Sequence, residues 1–416
     1  MMGLKFRLAA SDDWEQFNRL YKLCYPLIDT TEEQRHNYFS ANPRCSLDDI
    51  IMVLDGKEIV ASMIAYPFTM FQEGIESFAI GIGNVMVSPE RRKEGLAGEM
   101  MQYGLEKWES EDVPASMLYP FQHCFYRYMG WGYAGEIRQY NIFTEQLADF
   151  SEALEADDLR VEIVTEQNFD DLFNFYDAMA RQGNCMLKRN ELFWSQYMLA
   201  PPRYGVLAYD GAEVVGYLIY TPEEVNPSDP FVQQMVVKEW FAPSLDARDA
   251  LLGFIARQSD QIESVQLPLQ PNEPLHLWLD DPRNRERKMI HRLYAKTAEV
   301  GLGWMYRLVN LKAAFESGRR FNGVKGDLTV EMEDEQLGDR KLNVVFSGSG
   351  AKADGKGGKS KRLLSGEVDM LSQLFCGYMS AQQAYDFGLL EFEGSDTVDF
   401  CQQAFALPPP ACFDLF

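Results

Sequence analysis

The residues best suited to chemistry lie together in Asn84-Val85-Met86-Val87-Ser88-Pro89-Glu90-Arg91-Arg92-Lys93-Glu94-Gly95-Leu96-Ala97-Gly98. An apolar strand pattern ends there, a turn rich in cations follows, and a helical pattern begins at Gly95. A helix start exposes unpaired N–H groups and the positive end of the helix dipole, which together bind phosphate. Gly95 and Ala97 are small enough to let the backbone approach a pyrophosphate, and Arg91, Arg92 and Lys93 add charge. Three consecutive cations at a helix start are unusual in a chain of net charge -24. A second cluster, Phe125-Tyr126-Arg127-Tyr128-Met129-Gly130-Trp131, follows one strand-sized segment later.

The remaining reactive side chains form no such pattern. Cys24, Cys45, Cys124, Cys185, Cys376, Cys401 and Cys412 are scattered and never spaced Cys-x-x-Cys. The histidines, His36, His123, His276 and His291, make no pair one helical turn apart. Neither a disulfide framework nor a metal site is predicted.

The elements that must position these residues alternate strand and helix. Leu4–Leu8 reads as a strand, and Asp12 and Asp13 open a helix through Trp14, Phe17, Leu20 and Tyr21. Asp55-Gly56 predicts a hairpin between Ile50–Leu54 and Ile59–Tyr66. Ala79–Val87 is a strand, Leu96–Trp108 a helix, Ala115–Tyr119 a strand, Phe121–Met129 a short helix and Gly132–Phe143 a strand. The polar stretch Glu145–Asp158 reads as a linker. The order then repeats, with a strand at Leu159–Val164, a helix at Asn168–Met179, and a second hairpin at Asp210-Gly211 joining Tyr204–Ala208 to Val214–Tyr220. Met235–Phe241 and Ala247–Gln258 continue the echo as strand and helix, which predicts an internal duplication. In the second copy Phe241-Ala242-Pro243-Ser244-Leu245-Asp246 stands where the phosphate motif would fall. From Trp304 the pattern changes: a strand at Met305–Asn310, a helix at Leu311–Glu316, strands at Gly326–Met332 and Lys341–Ser347, a glycine- and lysine-rich loop at Gly348–Arg362, and helices at Glu367–Met379 and Ala381–Phe387. Domains are expected at 1–147, 148–300 and 301–416.

Composition bounds the function. Of 416 residues, 46% are hydrophobic and 25% charged, the balance of a folded globular chain. A net charge of -24 opposes nucleic acid and anionic membranes, and favours cationic small molecules or amines. No apolar run approaches the ~20 residues needed to cross a bilayer, and no apolar signal core follows Met1. The expected compartment is the cytoplasm.

Together the two motifs resemble those of the GCN5-related N-acetyltransferase (GNAT) superfamily: Arg-x-x-Gly-x-Ala at a helix start, then Phe-Tyr-x-x-x-Gly-aromatic after the next strand. The whole layout resembles the Eis (enhanced intracellular survival) family. That resemblance implies an α/β (α+β) fold of two tandem GNAT-like domains with central mixed sheets, the first catalytic and the second degenerate, plus a C-terminal sterol-carrier-protein-like α+β domain. It implies acetyl-coenzyme A as cosubstrate and no metal. Val85, Met86 and Val87 would hold the pantetheine arm. Arg92, Lys93, Glu94, Gly95, Leu96, Ala97 and Gly98 would cradle the pyrophosphate, with Phe121 beside the cofactor. Tyr126 would protonate the leaving thiolate, and the α-carboxylate of Phe416 would act as general base. Acceptors would be primary amines such as aminoglycosides or lysine side chains, and the assembly a homo-hexamer of two trimers.

Two features depart from the family pattern. Leu415 is apolar where an acidic substrate contact is expected, and the candidate amine contacts Asp29, Glu32 and Glu33 align poorly. His123, one helical turn before Tyr126, is the alternative base. Two other functions stay open at this point, a lipid carrier and a sensor that binds acetyl-coenzyme A without turnover.

Overall fold

A computed structural model describes residues 3–155, 158–353 and 360–416. The chain packs as two units, one of Met1–Gly135, Arg181–Lys188 and Gly303–Phe416, the other of Glu136–Ala180 and Arg189–Leu302.

The first unit carries β1 (Lys5–Leu8), β2 (Ile50–Asp55), β3 (Glu58–Gln72), β4 (Ile75–Val87), β5 (Ala115–Leu118) and β6 (Gly132–Tyr133). Their order in the sheet is β1-β2-β3-β4-β5, then Met305–Leu308, then β6. The Asp55-Gly56 hairpin forms between β2 and β3, with Gly56 at the positive φ of 64° that the turn requires. Among the helices of this region are α1 (Trp14–Cys24), α2 (Glu32–Ser40), α3 (Leu96–Ser110) and α4 (His123–Tyr128). Helical spacing puts Phe17 and Leu20 of α1, and Met100, Met101, Leu105 and Trp108 of α3, into the core. β4 and β5 pair in parallel only from Ala79–Ala115 to Ile82–Leu118; β4 then runs on to Val87 without that neighbour.

The C-terminal part of the same unit forms a sheet ordered Ala351–Ala353, Arg340–Ser347, Lys325–Glu333, Leu363–Glu367, Glu391–Glu393. Its interior is filled by the rings of Phe315, Phe321, Phe346, Phe375 and Phe405, packed face to edge with centroids 5.2–6.3 Å apart. The apolar cavity lined by Phe315, Val330, Leu364, Phe375 and Phe405 measures about 10 Å³, the room of one water and far short of an acyl chain.

The second unit is built on a sheet ordered Ala298–Leu302, Glu136–Phe143, Ile262–Leu269, Asp229–Phe241, Glu213–Asn226, Tyr204–Asp210, Leu159–Ile163. Its strand-helix order repeats that of the first, including an Asp210-Gly211 hairpin.

Three expectations are corrected. Gly132–Phe143 is two strands in different sheets. The chain breaks at Ala134-Gly135, whose two N–H groups both donate to the Trp304 carbonyl at 3.1 Å. Glu136–Phe143, before residue 147, lies in the second sheet, and Met305–Leu308, after residue 300, in the first. The acidic stretch read as a linker is mostly a helical segment, Thr144–Glu155, with Leu147 fully buried; Ala156 and Asp157 lie outside the described residues. Within the expected loop Gly348–Arg362, Ala351–Ala353 is a strand and residues 354–359 lie outside the described residues.

Arg307 locks the inserted strand Met305–Leu308 in place. Its Nη2 donates to both oxygens of Asp334 at 2.8 and 2.9 Å, its Nε to the Met129 carbonyl and its Nη1 to the Leu308 carbonyl, with both charged side chains fully buried. Removing one partner of such a pair leaves a buried charge uncompensated. Arg307→Met is therefore expected to lower unfolding free energy by about 3–5 kcal/mol in urea denaturation. A loss below about 1 kcal/mol, the level of an exposed pair, would contradict this account of the pair.

Candidate active site

Where β5 ends, the free edge of β4 begins. The Ser88 N–H donates to the Val60 carbonyl of β3 at 2.9 Å, so by the two-residue period of a strand Met86 also faces β3. Val85 and Val87 then face the open side. Two donors from the end of α1 confirm this: the Tyr25 hydroxyl donates to the Val85 carbonyl and the Cys24 thiol to the Val87 carbonyl, each at 3.3 Å. A cavity of about 550 Å³ opens here, lined by Cys24, Tyr25, Val85 and Val87 at one end and by Arg91–Lys93 and Gly95–Gly98 at the other, with Phe121, Gln122 and Phe125 along the side.

The turn before α3 is shaped for an anion. Gly95 caps the helix in the left-handed conformation at φ 92°, Lys93 precedes it at φ 70°, and a Cβ placed on Gly95 would meet nothing within 4 Å. The 15-residue helix α3 thus starts at the cavity wall, with its N–H groups unpaired by the helix. An exposed strand edge, an apolar wall and a positive helix start fit the amide-bearing arm and the pyrophosphate of coenzyme A.

The sequence-derived residues divide. Val85, Val87, Arg92, Lys93, Gly95, Leu96, Ala97, Gly98 and Phe121 line the cavity. Met86 does not: strand alternation buries its side chain in the core. Glu94 does not line it either, because its carboxylate accepts from Arg91 Nε at 2.6 Å, while Arg91 Nη1 also reaches Asp55 at 3.0 Å. Arg91 is on the wall with its charge already matched. Tyr126 sits behind Phe121, ring centroids 5.8 Å apart, and is 2% exposed. Burial raises its pKa, reinforced by the nearby Tyr25 hydroxyl. Tyr25 is pushed up to about 12, mainly by its own burial. Burial also raises the Cys24 thiol, with Arg92 opposing the shift. Sequence reading missed Cys24, Tyr25, Gln122 and Phe125, which belong to no motif. Asp29 is exposed, and Glu32 and Glu33 occupy the first turn of α2 behind the Thr31 cap, where acids suit the helix dipole.

The end of the chain reaches the same strand. An added Cβ on Gly83 would stand 2.6 Å from the Phe416 carboxyl carbon, so only glycine admits the tail at this point. The Phe416 ring packs edge-on against Phe68, Tyr119 and Tyr66 at 4.9, 5.5 and 6.0 Å. Upstream, the Tyr119 hydroxyl donates to the Cys412 carbonyl and the Ala411 N–H to the Asn184 carbonyl, each at 2.8 Å. Gly83 is two residues before Val85, and thus beside the open edge of β4.

Residues 5–134 match the family model of an acetyltransferase (GNAT) domain, residues 185–308 match a second acetyltransferase (GNAT) domain, and residues 311–413 match a sterol carrier protein domain. The chain is an acyl-coenzyme A-dependent N-acetyltransferase. GNAT domains use acetyl-coenzyme A, which fits the cavity built on β4 and α3. Among solved structures, the acetyltransferase is similar to a GCN5-related N-acetyltransferase from Anabaena variabilis (22% identity, TM-score 0.81). It is also similar to a probable N-acyltransferase from Enterococcus faecalis (19%, 0.81) and to Eis1 from Mycobacterium abscessus (16%, 0.72); in all three, 100% of each chain is covered. At such identities the likeness is one of fold. No curated protein matches the chain. Among the described residues no group of His, Cys, Asp or Glu could hold a metal ion, and no helix is long and apolar enough to cross a membrane.

The second GNAT domain of the acetyltransferase treats the equivalent strand differently. Asp229–Phe241 pairs in parallel with Ile262–Leu269 up to Val236 and then runs on, as β4 runs on past Ile82. Counted from those last pairs, Glu239 stands where Val85 stands. Arg189 donates to both its oxygens at 2.8 and 2.6 Å, Tyr217 donates its hydroxyl to it, and the guanidinium lies 4.0 Å from the Tyr176 ring centre. All three polar side chains are buried. A matched charge pair and aromatic rings thus occupy the position of the open β4 edge, and Ser244 caps the next helix in place of the cationic turn.

Gly95→Glu is expected to abolish acetyl-coenzyme A binding in calorimetry, since it sets a carboxylate at the pyrophosphate position. The side chain meets open space, but the left-handed φ of 92° strains any residue other than glycine, so the variant is first checked for folding by thermal unfolding. Unchanged affinity in the folded variant would remove the turn from the cofactor site.

Proposed function

We propose that the enzyme acetylates primary amines by direct attack on acetyl-coenzyme A, with Tyr126 as general acid and the Phe416 α-carboxylate as general base. The observation that carries this reading is the Phe416 carboxyl carbon lying against Gly83, beside the open edge of β4. The thioester supplies an acyl carbon that a neutral amine attacks. The Val85 and Val87 edge orients the pantetheine arm, and the start of α3 with Arg92 and Lys93 holds the pyrophosphate. The amine arrives as an ammonium ion; the carboxylate takes its proton, the nitrogen bonds to the acyl carbon, the C–S bond breaks, and the Tyr126 hydroxyl gives its proton to the departing thiolate. Burial raises Tyr126 above its ordinary value of about 10, so the donor stays protonated at neutral and moderately alkaline pH.

The tandem GNAT domains, the sterol-carrier-like domain and the full-length likeness to a mycobacterial Eis1 support placement in the Eis family. With it come aminoglycoside, lysine or polyamine-like acceptors, a cytoplasmic site of action and a hexamer of two trimers. The net charge of -24 supports cationic acceptors over acids.

Adding three glycines after Phe416 turns the carboxylate into a neutral amide. Turnover, followed by thiol release with an amine acceptor, is expected to fall about 10²-fold or more while acetyl-coenzyme A affinity persists. A wild-type rate would eliminate the carboxylate and make His123 the base to examine. Tyr126→Phe is expected to lower kcat about 10²–10⁴-fold at unchanged cofactor affinity. Because the Tyr126 pKa is raised, no alkaline fall in kcat below about pH 10 should vanish in that variant. A chemical step within about threefold of wild type would make Tyr126 a packing residue.

A further inference from the structure

The tail has anchors at Pro408, Ala411 and Cys412, and the Phe416 ring packs on Phe68, Tyr119 and Tyr66; one further group touches each of the last three residues. Arg44, in the segment after α2, reaches all of them. Its Nη1 donates to the Leu415 carbonyl at 2.9 Å, its Nη2 lies 3.8 Å from Asp414 Oδ1, and its guanidinium carbon is 5.7 Å from the Phe416 ring centre. The same guanidinium lies 4.4 Å from the Phe68 ring centre and 5.7 Å from that of Tyr66, the rings against which Phe416 packs. Its side chain is 9% exposed and that of Asp414 2%. Leu415, 70% exposed, adds little burial of its own.

We propose that Arg44 is the positioning residue that holds the Phe416 carboxylate at the reacting centre. This rests on the reading of that carboxylate as the base. Arg44 is absent from the wall of the cofactor cavity, so its removal takes away no side chain that lines it. One flat cation does three things there. It satisfies the last free carbonyl before the terminus, offsets the buried Asp414 charge two residues from a second carboxylate, and covers the aromatic floor under Phe416. A lysine can supply the charge but neither the fork nor the flat face. Holding a base in line is worth much: a displacement of about 1 Å can cost about 10²-fold in rate.

The test compares Arg44→Ala, Arg44→Lys, the three-glycine extension and the extension combined with Arg44→Ala. Each is measured for thermal unfolding, acetyl-coenzyme A affinity and steady-state turnover. Arg44→Ala is expected to lose about 10-fold to 10²-fold in kcat with cofactor affinity within about twofold, and Arg44→Lys to recover part of that loss. In the extended enzyme, where the Phe416 carboxyl is an amide and the terminal carboxylate lies three residues further on, removing Arg44 should cost no further rate. If the extension is inactive yet Arg44→Ala turns over at the wild-type rate, Arg44 is not the positioning residue and the base assignment stands. If Arg44→Ala lowers the rate equally in extended and normal enzyme, or weakens cofactor binding in step with kcat, its role is structural. If the extension itself works at the wild-type rate, the base assignment fails and the proposal with it. Should Arg44→Ala not fold, Arg44→Lys carries the same comparison; a wild-type kcat there overturns the proposal.

Discussion

β4 and β5 hydrogen-bond in parallel as far as Ile82 and Leu118, and past that point the peptide groups on one side of β4 have no strand to pair with. Buried backbone polar groups must find partners, so an unpaired stretch in the middle of a sheet demands an occupant. In the first domain Tyr25 and Cys24 cap two of its carbonyls at 3.3 Å, long enough that a better-placed amide could take over. The bulged register beside Asn84, at φ 51°, turns the edge toward the cavity, and the same strand ends in the turn that starts α3. The landing place of the tail, the cavity-facing edge and the cationic turn are therefore consecutive stretches of one strand-turn-helix.

The second domain shows what the same divergence becomes without a cofactor motif. Glu239, Arg189 and Tyr217 meet at the register of Val85 and satisfy one another. Duplication has kept the strand geometry, while side chains decide whether the gap is a cleft or part of the core. The sterol-carrier-like domain likewise keeps a sheet but closes its interior with phenylalanine rings. Its last residues leave that domain and run to β4, where Phe416 lies against Gly83.

What could be read from the amino-acid order follows the distance between partners. The cavity wall from Val85 to Gly98 was legible because strand, turn and helix are contiguous and each has a local signature. Met86 and Glu94 lie within that stretch but not on the wall, since a motif names a stretch and does not say which way each side chain turns. Cys24, Tyr25 and Arg44 were not legible. They reach β4 or the tail across long stretches of sequence, and neither periodicity nor spacing reports such contacts. The sheet membership of Glu136–Phe143 and Met305–Leu308 was not legible for a related reason: no composition change marks the places where the chain leaves the first sheet and returns to it. Polarity misled at Thr144–Glu155, where a helical segment is acidic outside and anchored by Leu147.

The central claim is that the arm-binding edge of β4 and the Phe416 carboxylate face a single reacting centre. A crystal structure with a bisubstrate adduct, coenzyme A joined through its acetyl carbon to a primary amine, tests this most directly. The account places the pantetheine amides on Val85 and Val87, the sulfur near Tyr126, and the amine nitrogen within about 2.6–3.2 Å, or one water, of the Phe416 carboxylate. An adduct whose amine nitrogen points away from Phe416, or toward His123, would contradict it.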